Sequence, residues 1–307
     1  MTRRAWTAFA AMSLIWGIPY LLIRIAVRHG VTPGFLAFGR VSLAAVVLLL
    51  LAWRAGSLRT LRGHWGVMLV YAVAEIVIPF SLIAFGEEHV SSSLAAILIS
   101  TTPLFAALIA VRFNTSERPT PVRVVGLVAG FGGVVALVGI DVAGSGSELV
   151  GAGAILVGAL GYAIGATLVR LRLTALDPRA TMGGSLAIAA VLLAPYAALD
   201  PPAAAPGAGA IACIVALGLV CTALAFVVYT ILIAEAGTTR ATVITYINPL
   251  VAVALGVSLL GEQLGLGAIA GLLLILAGSW LSTDGRLPRR IARLRRDRAQ
   301  DAVATRV

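Results

Sequence analysis

Glu75 lies halfway along the apolar run from Trp65 to Gly86, and Arg40 lies inside a second such run, from Pro33 to Trp53. A charge inside a stretch this apolar is costly unless it is paired or faces a polar cavity, so each is by default a functional candidate. A carboxyl group there can take up a proton or hold a cationic group, and a guanidinium can hold an anionic one. Alternatively, the two neutralise each other as a structural ion pair between neighbouring helices. By helical rise, Arg40 stands about 5 Å from the midplane of its run, within side-chain reach of Glu75, and Arg24 about 13 Å from the midplane of its own. Arg24 is therefore placed to snorkel outward. Both readings of the Glu75 and Arg40 pair stay open at this stage.

Uncharged candidates at similar depth are Trp16, Tyr71, Thr102, Tyr162, Tyr246 and Asn248. Aromatic walls with a few placed polar groups suit amphipathic small molecules. Pro19, Pro79, Pro103 and Pro249 each remove a backbone hydrogen bond inside an apolar run. Interrupted helices at membrane depth are tolerated where the freed groups are buried in protein or line a cavity. Pro103 and Pro249 are candidate hinges. Catalytic constellations are missing: the three histidines, His29, His64 and His89, all fall at run ends, and neither an HExxH zinc helix nor a GxxxxGK[ST] phosphate loop occurs. No cofactor, metal site or enzymatic activity is expected.

The elements that carry these residues follow from composition. The chain has 307 residues, 60% hydrophobic and 12% charged, with a mean hydropathy of +1.02, far from the roughly half-apolar composition of soluble domains. A bilayer core about 30 Å thick needs about 20 apolar residues per helix. Ten stretches meet this need, near 5–27, 33–53, 65–86, 90–111, 121–140, 149–169, 180–199, 209–233, 238–260 and 265–283. The expected fold is an all-α integral membrane protein of ten transmembrane helices. Cys213 and Cys221, about 12 Å apart along one helix, cannot bridge each other without breaking it.

All 23 basic residues other than histidine are arginines. Arg3/Arg4, Arg54/Arg59/Arg62, Arg112/Arg118/Arg123, Arg170/Arg172/Arg179, Arg240 and the tail from Arg286 fall at alternate connections, while the opposite connections hold Arg28 together with Glu87, Glu88, Asp141, Glu148, Asp200 and Glu262. By the positive-inside rule both termini are cytoplasmic, which predicts a multi-pass protein of the inner (cytoplasmic) membrane. The net charge of +10 needs no nucleic acid, because much of it sits in the tail RLPRRIARLRRDRAQ. Such a cluster suits anionic lipid headgroups.

The chain also repeats itself. Pro103 falls on Pro249 (249 − 103 = 146), Trp16 on Tyr162 and Arg24 on Arg170 at the same offset, whereas Arg40 falls on Leu186. Each copy holds five spans, so the second enters the bilayer upside down, an arrangement of secondary transporters. Residues 1–140 form the first five-helix repeat and 149–284 the second, joined by DVAGSGSE and followed by a basic cytoplasmic tail, 285–307.

The run IWGIPYLLIRIA, Arg40 after PGFLAF, SSSLAAILISTTPLFAAL, SERPTPVRVVGLVAGFGGVVALVG and the second copy YINPLVAVALGVSLLGEQLGLGAIAGLLLILAGSWL together resemble the drug/metabolite transporter superfamily, and within it the ten-span EamA branch. The resemblance implies two inverted five-helix bundles around a central cavity and export of small metabolites or drugs by alternating access. The rival is an uncoupled facilitator or channel for small solutes. The expected partners are a small-molecule substrate and the lipid bilayer, with proton coupling as one reading of Glu75. The chain departs from the family pattern in having Tyr162 where a Trp falls in the first copy.

Overall fold

The computed structural model describes residues 2–113, 120–142 and 144–282; the basic tail lies outside them. Among these residues the regular structure is entirely helical. Eight helices are long and apolar enough to cross a membrane: α1 (Arg3–Arg28), α2 (Pro33–Arg54), α3 (Trp65–His89), α4 (Ser92–Ala110), α5 (Pro121–Val142), α6 (Gly146–Leu173), α7 (Pro178–Leu199) and α8 (Ala208–Ala236). Two shorter apolar helices follow, α9 (Ile244–Leu260) and α10 (Leu266–Ser282).

Local chemistry sets the starts. Thr2, Ser91, Thr120, Ser145 and Asp177 each accept a hydrogen bond from a backbone N–H in the first turn of the helix they precede, which satisfies donors that have no partner within the helix. Pro33, Pro121 and Pro178 stand at first helical positions, where a missing N–H costs nothing.

Interruptions follow from composition too. The helix of α1 breaks between Ile15 and Pro19, and a Cβ on Gly17 would stand only 2.5 Å from Val251 Cγ1, so the broken turn lets α1 and α9 approach closely. In α4 the chain breaks at Ser100 and Thr101, just ahead of Pro103. Pro249 lies inside the unbroken α9, and the matching interruption comes earlier, between Ala241 and Ile244. Besides the π-turns that end α5 (Val138–Val142) and α6 (Val169–Leu173), two lie inside helices, Val73–Val77 in α3 and Leu219–Leu224 in α8, and these occupy equivalent positions at the repeat offset (219 − 73 = 146). Pro79 explains the one in α3, since it has no N–H to offer the carbonyl of Glu75 four residues earlier.

The principal helix pairs are α5 with α10, α2 with α7, α3 with α6, α1 with α8, α4 with α6 and α2 with α8, and α4 packs on α9 as well. Small residues set the closest approach: a Cβ on Gly126 would meet Ser282 N at 2.5 Å and Gly278 O at 2.8 Å, the backbone contact by which membrane helices associate without a hydrophobic drive between them. Large apolar residues point outward from several helices, among them Val46, Val128, Val135, Val191 and Leu273, each more than 60% exposed. Contiguous exposed apolar surface of this kind is what a lipid phase covers.

Candidate functional site

Glu75 sits inside the π-turn of α3, a local geometry frequent at functional sites. Its room comes from α6: a Cβ on Gly165 would overlap the Glu75 carboxyl group. Oε2 is shut off from solvent and has no hydrogen-bond partner. Tyr71, Tyr162 and Tyr229, from α3, α6 and α8, lie within electrostatic range of it. Trp16, at the break in α1, continues this aromatic group, with ring centroids 4.9 Å from Tyr229 and 6.3 Å from Phe226.

Arg40 is buried, and its guanidinium is already engaged. Nε donates to Thr222 Oγ1 at 2.9 Å, and the guanidinium carbon lies 4.0 Å from the centre of the Phe80 ring, a cation–π contact worth roughly 2 kcal/mol or more when desolvated. Thr222, held in the π-turn of α8, donates in turn to Leu217 O at 2.8 Å. Arg40 and Glu75 form no ion pair; among the described residues the one such contact is Arg4 with Glu235, at 4.0 Å. The two charges of the sequence reading are thus separate sites: Arg40 is engaged through Nε and the Phe80 ring, and Glu75 Oε2 has no partner.

The remaining candidates are placed as follows. Thr102 donates to Ile99 O at 2.7 Å, sealing the break in α4. Tyr246 and Asn248 stand in the first turns of α9, which packs on α1 and α4, and Asn248 Oδ1 is buried without a partner. Sequence reasoning missed Tyr229, Thr222, Phe80 and Tyr20. None carries a charge, and Tyr229, Thr222 and Tyr20 have no matching residue at the repeat offset; Phe80 falls on Phe226 (226 − 80 = 146), the ring beside Trp16, and that correspondence was the one signal the sequence offered.

A second polar group gathers at the end of the bundle formed by the α3–α4, α5–α6 and α9–α10 connections. Asp141 accepts from Gly267 N at 3.1 Å and Ala268 N at 2.5 Å, capping α10 from another helix. Glu262 does the same for α4, accepting from Ser92 N and Ser93 N at 2.8 and 2.9 Å and from both serine hydroxyls at 2.9 and 2.5 Å. The left-handed Gly261, φ 65°, ends α9 and turns the chain so that Glu262 reaches this position. Burial raises the Glu262 carboxyl, but these four hydrogen bonds outweigh it and hold the group below the ordinary glutamate value.

Glu87 corrects the sequence reading, which assigned it to a connection. It lies in the last turn of α3 and is 0% exposed, because α3 runs past the apolar stretch and packs against α6 to its end. A cavity of about 600 Å³ opens beside it, lined in part by Arg24, His89, Ser91, Asp141 and Glu148. Among the described residues no group of histidine, cysteine and carboxylate side chains is placed to hold a metal ion.

Comparison with known proteins agrees with this architecture. The model of the EamA-like transporter family matches the chain twice, over residues 4–139 and 149–283. The chain belongs to the EamA-like transporter family. Among curated relatives of this EamA-like chain, an inner membrane transporter of Escherichia coli K12, YedA, is 30% identical over 84% of this chain and 83% of its own length, and a transporter of Archaeoglobus fulgidus is 23% identical over 92% and 98%. Protein PagO of Salmonella typhimurium is 35% identical, but its alignment spans only 43% of this chain and 42% of PagO. A solved crystal structure superposes with a TM-score of 0.64 at 20% identity, covering 92% of this chain and 97% of the other, which extends the likeness to the whole fold.

Proposed function

We propose that this EamA-family chain is a secondary transporter that exports small metabolites or drugs by alternating access, with the Glu75 cluster as its substrate site. The observation that carries this reading is a buried carboxyl oxygen midway along α3 with no partner, set in a π-turn, with tyrosines from three helices in electrostatic range and Trp16 of a fourth packed on one of them. A single acidic group within aromatic walls suits a monovalent aromatic cation, held by charge and by ring faces together. A proton can occupy the same carboxyl when the cation leaves, which would couple export to protons. Arg40, engaged through Nε by Thr222 and stacked on Phe80, ties α2 to α8.

Ten spans in two inverted five-helix repeats support this reading. Helix contacts respect that relation: α3 with α6 mirrors α8 with α1, and each of α2, α4 and α5 packs on its own counterpart. The equivalent π-turns of α3 and α8 agree with it. Pro103, beside the break in α4, and Pro249 in α9 are the proposed bending points. On this reading both termini face the cytoplasm from the inner membrane, as the alternating arginines suggest, and the basic composition of the tail at 285–307, which lies outside the described residues, suits anionic lipid. A comparison of medium from cells overproducing the wild type and Glu75→Gln tests the assignment. The wild type should enrich the medium in amine-bearing aromatic compounds and the variant should not; equal profiles would count against it.

A further inference from the structure

Glu87 is the most enclosed charged residue among those described, and both of its carboxyl oxygens are buried with no hydrogen-bond partner. Arg24 lies beside it yet does not pair with the carboxylate: its Nη1 donates to the backbone carbonyl of Glu87, and its Nε is buried with no partner. An ionised carboxylate next to a guanidinium with a free N–H draws that donor onto itself, because an uncompensated buried charge costs several kcal/mol. Two unpartnered oxygens beside an averted arginine are the arrangement of a carboxylic acid that holds its proton.

The surroundings give that proton a route and a consequence. Arg24 and His89 line the cavity of about 600 Å³ that opens at the loop end of the bundle, so water in it stands one side chain from Glu87. Arg24 is also within electrostatic range of Glu262, the residue that clasps the start of α4. The ionisable groups that act on Glu87 from neighbouring elements are Tyr20 and Arg24 of α1, Arg40 of α2 and Glu262 of the α9–α10 connection. On its own helix Glu88 points to solvent and His89 to the cavity. From α6, Gly151 and Ile155 press on this level of α3 without a charge, and Glu148 stands farther out on the cavity wall.

We propose that Glu87 is a proton-binding site separate from the Glu75 cluster, loaded through the loop-end cavity, with Arg24 as a switch between Glu87 and the Glu262 clasp. With the proton bound, Arg24 rests on the backbone carbonyl and its charge is available to Glu262. When the proton leaves to water in the cavity, Arg24 swings onto the new carboxylate, the field at Glu262 changes, and the clasp on Ser92 and Ser93 loosens. Proton occupancy at this end is thereby linked to closure of the bundle.

Infrared difference spectroscopy of the full chain in liposomes reads this directly, since a protonated carboxyl has a carbonyl stretch that the carboxylate lacks. Glu75 can contribute a band of its own, so the Glu87 band is read in Glu75→Gln, where it should persist, vanish as pH rises and be missing once Glu87→Gln is added. Arg24→Gln, which takes away one adjacent cation, should move its midpoint toward alkaline pH by roughly one unit. Thermal melting of each variant checks that it is folded, and Glu87→Asp, which keeps the acid, should restore a titrating band if Glu87→Gln melts early. A protonated-carboxyl signal in Glu75→Gln that ignores pH, or that survives in the folded double variant Glu75→Gln/Glu87→Gln, overturns the site; a midpoint unmoved by Arg24→Gln overturns the switch. The band needs no substrate, so its absence would leave the transporter reading standing.

Discussion

Arg40 Nε and Thr222 Oγ1 are joined across 182 positions of sequence by a buried hydrogen bond of 2.9 Å. The bond ties α2 to the π-turn of α8 and engages the arginine without Glu75. Hydrogen bonds to charged groups are worth about 1.5–3 kcal/mol, so Thr222→Val should lower stability by that order and Glu75→Gln by much less. A double-mutant cycle between Arg40→Leu and Glu75→Leu should be additive within about 0.5 kcal/mol. Strong rescue of one substitution by the other, measured by thermal melting, would restore the ion-pair reading.

Gly165 makes the space in which the Glu75 carboxyl rests. Gly165→Ala should push that carboxyl out of its place and reduce transport. The accompanying loss of stability should be roughly 1–3 kcal/mol, the usual cost of overpacking. Gly153, with open space where its Cβ would go, is the control: Gly153→Ala should melt and transport like the wild type.

The Glu262 clasp predicts a pH dependence. Its carboxyl is held below the ordinary value of 4.5 in the folded protein, so the stability it contributes is present above that value and is lost as pH falls through the lower, folded one. Melting temperature should therefore drop on acidification below 4.5. Glu262→Gln should melt earlier than the wild type at neutral pH and show a shallower acid slope. Parallel acid slopes for the two proteins would detach the pH dependence from this residue.

Topology is tested by reporter fusions. Those after Arg62 and Arg290 should read cytoplasmic and one after Gly146 external. An external reading at the C-terminal site would contradict the ten-span arrangement.

The helix layout is legible in the sequence because apolar length is a one-dimensional property: the stretches at 33–53 and 180–199 lie within a few residues of α2 and α7. Glu75 stands out for the same reason, as a charge amid an apolar run. Glu87 does not, since a carboxylate near the end of a run reads as a loop residue until the packing of α3 on α6 is known. The partners of Arg40 were equally hidden. Thr222 lies in a π-turn with no proline to mark it, and only the repeat offset, which sets Cys221 opposite Glu75 (221 − 75 = 146), connects the two turns. Caps that one helix provides for another, such as Asp141 on α10, leave no local pattern either.

Counterflow in proteoliposomes tests the central claim most directly. Vesicles containing the purified protein are loaded with unlabelled phenyltrimethylammonium, an aromatic cation of fixed charge, and diluted into a trace of the labelled compound. A carrier acting through Glu75 should accumulate label transiently above its equilibrium level, and Glu75→Gln should abolish the overshoot. Monotonic equilibration in the wild type, as through a pore, or an undiminished overshoot in Glu75→Gln would contradict it.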